Sequence, residues 1–299
     1  MKRKILWSFA GIVIVLVLFV FSTIGIARYK GTGTVQMERE TVQILTDPQS
    51  IEEGKRLYIT RGCADCHDTN LGGKVIIDDL LAGVIAGANL TSGKNGRAGE
   101  YKSDSDWVMA IRHGIDPAGR KLVFMPSYEF HHFADDEVGK LIAYIKSVPP
   151  VDNNPPKPTL GLMLSLAYLM GDIPVYSAEV IPHQAPHDKA VSALSGIDLG
   201  KYLSNGCIGC HGTGFSGGKI PGTPPDFPLA GNITPDSETG IGNWTEQQFV
   251  TLMRTGKRPN GEEVNPFMPW KFMGKMTDRE LSALWAYLRT VPKKAYGNR

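Results

Sequence analysis

Cys63-Ala64-Asp65-Cys66-His67 and Cys207-Ile208-Gly209-Cys210-His211 decide how this chain is read, because together they use all four of its cysteines. A CxxCH pentapeptide is an attachment pattern for haem: two thiols add across the porphyrin vinyl groups, and the adjoining imidazole offers a nitrogen to the iron. In 299 residues with 4 Cys and 7 His, chance placement supplies on the order of 0.001 such pentapeptides. A thioredoxin-like redox pair has no need of the histidine. A structural zinc site usually sets its two CxxC halves about 15–20 residues apart, whereas these begin 144 apart. The pattern predicts two covalently bound haem groups, each with one iron.

Aligned on the pentapeptides, the halves of the chain repeat. Gly54, Lys55, Tyr58 and Gly62 precede the first, and Gly200, Lys201, Tyr202 and Gly206 precede the second. Gly72-Gly73-Lys74 and Gly217-Gly218-Lys219 follow, then Asn89-Leu90-Thr91 and Asn232-Ile233-Thr234. Trp107 to Gly114 then answers Phe249 to Gly256.

The repeat also supplies a donor for the other face of each iron. Phe124-Met125-Pro126 stands with Met125 62 residues after Cys63, and Phe267-Met268-Pro269 has Met268 61 after Cys207. Met125 and Met268 are therefore expected as axial thioethers opposite His67 and His211, a ligand pair that raises the reduction potential. Met109 and Met253 also correspond but lie in apolar helical runs, where core packing is expected. Met273 and Met276 have no partner in the first half. His131 and His132 are rivals to Met125, weakened by the lack of a counterpart in the second half. His113, His183 and His187 read as surface or hydrogen-bonded histidines. Arg112 and Arg254 correspond, and a guanidinium suits a haem propionate. Hydrogen bonds from Asn89, Asn232, Tyr101 or Trp244 suit one too, and a packing role is equally open for each.

Helix signals dominate. Ser103 caps a run closed by Gly114, and Thr245 opens a capping box closed by Gly256. Ala134 to Ser147 and Thr277 to Thr290 form a second helix in each half, stopping before Val-Pro. Gly54 to Thr60 and Leu199 to Ser204 lead into the pentapeptides. Asp135-Asp136 reads as a helix start and Asp78-Asp79 as a solvated loop. Three or so helices per half bury too little apolar surface unaided, so a haem completes each core.

Asn232-Ile233-Thr234-Pro235-Asp236-Ser237-Glu238-Thr239-Gly240-Ile241-Gly242-Asn243-Trp244, followed by a helix and Met268-Pro269, resembles the cytochrome c subunits of bacterial membrane-bound alcohol, aldehyde and gluconate dehydrogenases. With the repeat, the resemblance covers about residues 48 to 299. It implies haem c held by Cys63, Cys66, His67 and Met125 in one site and by Cys207, Cys210, His211 and Met268 in the other. It also implies electron transfer from a dehydrogenase subunit towards quinone, a terminal oxidase or a soluble cytochrome, with no catalytic residues in this chain. Those subunits usually show three haem motifs where this chain has two. An enzyme of the dihaem peroxidase or thiosulfate dehydrogenase type would need an exchangeable iron face or a different ligand, while both halves here offer Met. A third reading is the dihaem subunit of a haem–copper oxidase.

The expected architecture is mostly α: two tandem cytochrome c-like haem domains after one N-terminal transmembrane helix. Residues 1–30 form the anchor, 31–47 a linker, 48–150 the first domain, 151–190 a Pro-rich inter-domain linker and 191–299 the second domain. Lys2-Arg3-Lys4 precedes an uncharged run of 23 residues, Ile5 to Ala27, which as helix spans about 35 Å against a hydrocarbon core of about 30 Å. The basic start predicts a cytoplasmic N-terminus in the inner membrane, with the haem domains on the periplasmic side. Leu160 to Met170 is strongly apolar and reads as a short helix wedged between the domains, with membrane or partner contact as alternatives. A net charge of +2 gives no basic stripe for nucleic acid, and no phosphate loop, nucleophile elbow or carboxylate dyad is present.

Overall fold

Helix α1 (Lys2–Gly31) opens the computed structural model, which describes residues 2–223 and 226–299. Its segment Lys4–Gly31, with mean hydropathy 2.8, is long and apolar enough to cross a membrane, and its apolar side chains are exposed along most of its length.

The first half begins at α2 (Pro48–Thr60), where Asp47 accepts a hydrogen bond from Ser50 N and Pro48 takes a first-turn position that tolerates a missing N–H. Gly62, at φ +78°, breaks the chain before the one-turn α3 (Cys63–His67). A hairpin of β1 (Val75–Asp79) and β2 (Gly83–Ala86) follows, so Asp78 and Asp79 end an exposed strand rather than lying in a loop. Next come α4 (Asp104–His113), α5 (Ser127–Phe130) and α6 (Asp135–Ser147). Ser103 caps α4 and left-handed Gly114 closes it as the sequence predicts, and Asp106 turns the cap into a full capping box. Helices α2 and α6 cross so closely that a Cβ on Gly54 would stand 2.0 Å from Lys140 O. Leu57, Tyr58, Leu141, Ile142 and Ile145 form the core around that crossing.

Strand β3 (Thr159–Leu160) then pairs antiparallel with β2. Helix α7 (Leu162–Met170) is not wedged between the domains. It packs against the end of α1, where Ala27, Leu160, Tyr168, Val175 and Tyr176 are buried together. A short apolar helix can satisfy its buried face on any apolar neighbour, and α1 is the apolar surface within its reach.

The second half repeats the plan with α8 (Gly196–His211), α9 (Glu246–Thr255), α10 (Trp270–Met273) and α11 (Asp278–Leu288). Helix α8 runs unbroken through its pentapeptide, unlike α2 and α3. A Cβ on Gly200 would meet Ala283 O at 2.0 Å, so α8 and α11 reproduce the crossing of α2 and α6. The halves meet along a polar seam. Arg56 pairs with Glu280 at 2.7 Å, and Tyr202 donates its hydroxyl to Glu137, which Arg61 of the same half also binds at 2.6 Å, while accepting from Ala134 N at 2.9 Å.

Candidate haem sites

In the first half, Cys63, Cys66, His67 and Met125 line one cleft of about 760 Å³, within the range of roughly 300–1,000 Å³ typical of small-molecule and cofactor sites. Tyr58, Leu90, Trp107, Ile111, Phe130 and Leu141 supply an apolar wall. A Cβ on Gly87 would stand 2.0 Å from Cys66 O, so the loop beside the attachment segment approaches closely because that residue has no side chain.

The donor chemistry fits haem. His67 Nδ1 donates to Ala88 O at 2.8 Å and His211 Nδ1 to Gly231 O at 2.7 Å, which leaves Nε2 of each ring as a lone pair for iron. Burial holds both imidazoles below the usual histidine range, and so neutral, against the opposing pull of these carbonyls. Burial, reinforced by the neighbouring thiol, pushes Cys63 and Cys207 up to about 12. A dithiol redox pair needs the opposite shift.

Met125 packs against the first core and Met268, with Cys207, against the second. The two loops share a backbone form. Met125 O accepts from Ser127 N and Met268 O from Trp270 N, both at 2.8 Å. Pro126 and Pro269 sit at φ −80° with ψ 51° and 45°, each opening a one-turn helix. Phe124, before Met125, is held at φ +59°, a left-handed conformation that costs a bulky residue about 1–3 kcal/mol and is typical of functional loops.

Structure shifts one correspondence of the repeat by a residue. Gly73 N donates to His67 O and Gly217 N to His211 O, so Gly73 matches Gly217 rather than Gly218. Leu71 and Phe215, both at positive φ, match in turn.

Several propionate candidates have other work. Arg112 is buried and binds Glu40, Phe133 O and Asp135, while Arg254 binds Gly274 O and Asp278. In both halves this arginine ties the end of α4 or α9 to the start of α6 or α11. Asn89 Nδ2 donates to Val151 O at 2.7 Å and Asn232 Nδ2 to Lys294 O at 2.8 Å, and each Oδ1 accepts from the threonine N two residues on at 2.9 Å. These asparagines staple loops. Trp244 packs on the second core. Tyr101 does line the first cleft, edge-on to Trp107, and burial pushes its hydroxyl up to about 12.

His131 and His132 do not line that cleft; His131 Nδ1 turns to Arg112 O at 3.2 Å. Met109, Met253 and Met276 are core residues. His113 is fully buried rather than at the surface, beside His131, His183 and His187. Sequence reading also missed the cleft cations Arg28, Arg97, Arg120, Lys121 and Lys157. The bridges Ile115–Lys121 and Lys257–Glu263 correspond, so Arg120 and Lys121 fall where the second half has Glu262 and Glu263, and the repeat gave them no signal.

Two helical units, each built round a CxxCH segment, define a tandem haem c protein. The cytochrome c family profile matches residues 51–149 and 197–292, and the chain belongs to that family. It carries covalently bound haem c, and two haems fit the two regions. The chain is similar to the fructose dehydrogenase cytochrome subunit of Gluconobacter japonicus, 28% identical over 89% of this chain and 57% of that protein. It is also similar to the cytochrome c subunit of the quinone alcohol dehydrogenase of Gluconobacter oxydans (strain 621H), 28% identical over 71% of this chain and 48% of the relative. The gluconate 2-dehydrogenase cytochrome c subunit of Pantoea cypripedii is 36% identical over 33% of this chain and 24% of its own length. The chain thus spans about half the length of the first two relatives.

Proposed function

We propose that this chain is a membrane-tethered electron carrier, with two haem c groups in series and His/Met ligation at each iron. Cys63 and Cys66 would hold one group, with His67 and Met125 offering donors to its iron; Cys207, Cys210, His211 and Met268 would do the same for the other. Haem supplies an iron that takes up and releases one electron. The protein holds each imidazole in one tautomer through a backbone carbonyl, presents a thioether that favours the reduced state, and walls the group off from water. Residues 48–150 and 191–299 are the two haem domains, joined by 151–190, and α1 is a single-pass inner-membrane anchor that keeps both on the periplasmic face.

The observation that carries transfer between the haems is the contact of α5 with α8. Helix α5 follows Met125-Pro126 directly, and its Glu129 Oε1 would stand 2.8 Å from a Cβ on Gly209, inside the second pentapeptide. The distal loop of one site abuts the attachment segment of the other, a short path for an electron. The donor in this reading is a respiratory dehydrogenase subunit, and the acceptor a terminal oxidase or soluble cytochrome. Stopped-flow reduction of the full-length haem-loaded protein with less than one electron equivalent tests it. Redistribution between the two irons, at a rate independent of protein concentration, supports the series arrangement; equilibration only through collisions between molecules contradicts it.

A further inference from the structure

The pentapeptides leave five of the seven histidines over, and four of these meet in one place away from the cleft. His113 ends α4, His131 follows α5, and His183 and His187 lie in the inter-domain segment. Glu40, from the stretch between α1 and α2, joins them: His113 Nε2 is 3.1 Å from its Oε1.

Hydrogen-bond partners fix the tautomers. His183 Nε2 donates to Ala178 O at 3.0 Å, so its Nδ1 is an acceptor, and His113 Nδ1, 2.9 Å away, must donate to it. His131 Nδ1 donates to Arg112 O at 3.2 Å, and His187 Nε2 to Glu40 Oε1 at 3.3 Å. Each ring has thus committed its proton and keeps one lone pair, on His113 Nε2, His131 Nε2 and His187 Nδ1. Those three nitrogens are buried and have no hydrogen-bond partner. One ring nitrogen from each of the three histidines lies within 4.8 Å of the others.

Three buried ring nitrogens without hydrogen-bond partners, gathered beside a carboxylate, offer a cation three donors and a compensating charge. We infer that His113, His131 and His187 bind one divalent transition-metal ion of the zinc and copper class, with Glu40 beside them as a negative charge and an acceptor for His187 Nε2. Imidazole donors suit these ions, whereas magnesium and calcium require oxygen ligands. Zn–N bonds of about 2.0–2.1 Å need only small closing movements of the rings. Carbonyl and carboxylate acceptors on the far nitrogens are the outer contacts that orient metal-binding histidines. The three ligands and their neighbour Glu40 come from four segments, so the ion would clamp the leader and the inter-domain segment onto the first domain. Ser177, next to this segment, already donates to Met125 O.

The test uses the full-length, haem-loaded protein in detergent, stripped by a chelator and dialysed against zinc ion. Elemental analysis should find one zinc for every two irons, and zinc-edge X-ray absorption should show nitrogen and oxygen but no sulfur at about 2.0–2.1 Å. Zinc should raise the thermal unfolding midpoint of the wild type. His187→Gln and Glu40→Gln should each weaken zinc binding by about tenfold or more, with iron content and visible spectrum unchanged, which separates this site from the haems. Wild-type protein that retains no zinc, zinc bound without nitrogen, or binding undiminished in both variants would overturn the assignment. Should a variant fail to fold, the wild-type stoichiometry and absorption spectrum decide alone.

Discussion

Arg56 on α2 and Glu280 on α11, 224 residues apart, make a two-pronged ion pair across the domain seam, at 2.7 Å and 3.0 Å. Burial would raise the Glu280 carboxyl, but the hydrogen bonds and charge of Arg56 outweigh it and hold the group below the usual carboxylate range. A depressed folded value means stability that is complete above the unfolded value of about 4.3 and lost as pH falls through the folded one. Thermal unfolding midpoints of the haem-loaded protein should therefore drop below about pH 4. Arg56→Met should cost about 1–3 kcal/mol at neutral pH and flatten this acid limb.

The helix crossing at Gly200 leaves no room for a methyl group. Gly200→Ala drives a carbon into the Ala283 carbonyl, and overpacking of this kind typically costs about 1–3 kcal/mol. Chemical denaturation should show that loss, and Gly54→Ala should show the same at Lys140.

Asp68 follows His67 at φ +64°, ψ +166°, and Gly212 holds the matching place after His211 at φ +78°, ψ +164°. Only glycine adopts this conformation without strain. Asp68→Gly should stabilise the first domain by about 0.5–1 kcal/mol after its unfolded-state entropy is counted, measurable as a higher denaturation midpoint.

Met268→Ala should lower the reduction potential of one haem and leave its thioether attachment intact, because the thioether favours ferrous iron. Redox titration with an intact-mass measurement checks both halves of the statement; an unchanged titration would remove Met268 from the ligand set.

Much of this molecule was legible in the chain because the repeat doubles every signal. The N-cap at Ser103, the capping box at Thr245, closing glycines at Gly114 and Gly256, and Pro after each candidate methionine are local rules that need no tertiary knowledge. The short β1–β2 hairpin was missed because Val75-Ile76-Ile77 reads equally as an apolar loop. Placement of α7 depended on which apolar neighbour was nearest, something periodicity does not encode. The histidine cluster is invisible for a similar reason: Glu40, His113, His131 and His187 come from four segments, and nothing in the second half mirrors them. Arg112 looked like a cleft residue because it recurs as Arg254, yet what recurs is a brace between helices.

The most direct test of two His/Met haems acting as an electron carrier is paramagnetic resonance of the fully oxidised, full-length protein, recorded along a potentiometric titration. Two low-spin ferric signals should disappear in separate one-electron steps, with no change on adding peroxide. A high-spin iron, or one whose signal shifts and turns over with peroxide, would contradict it.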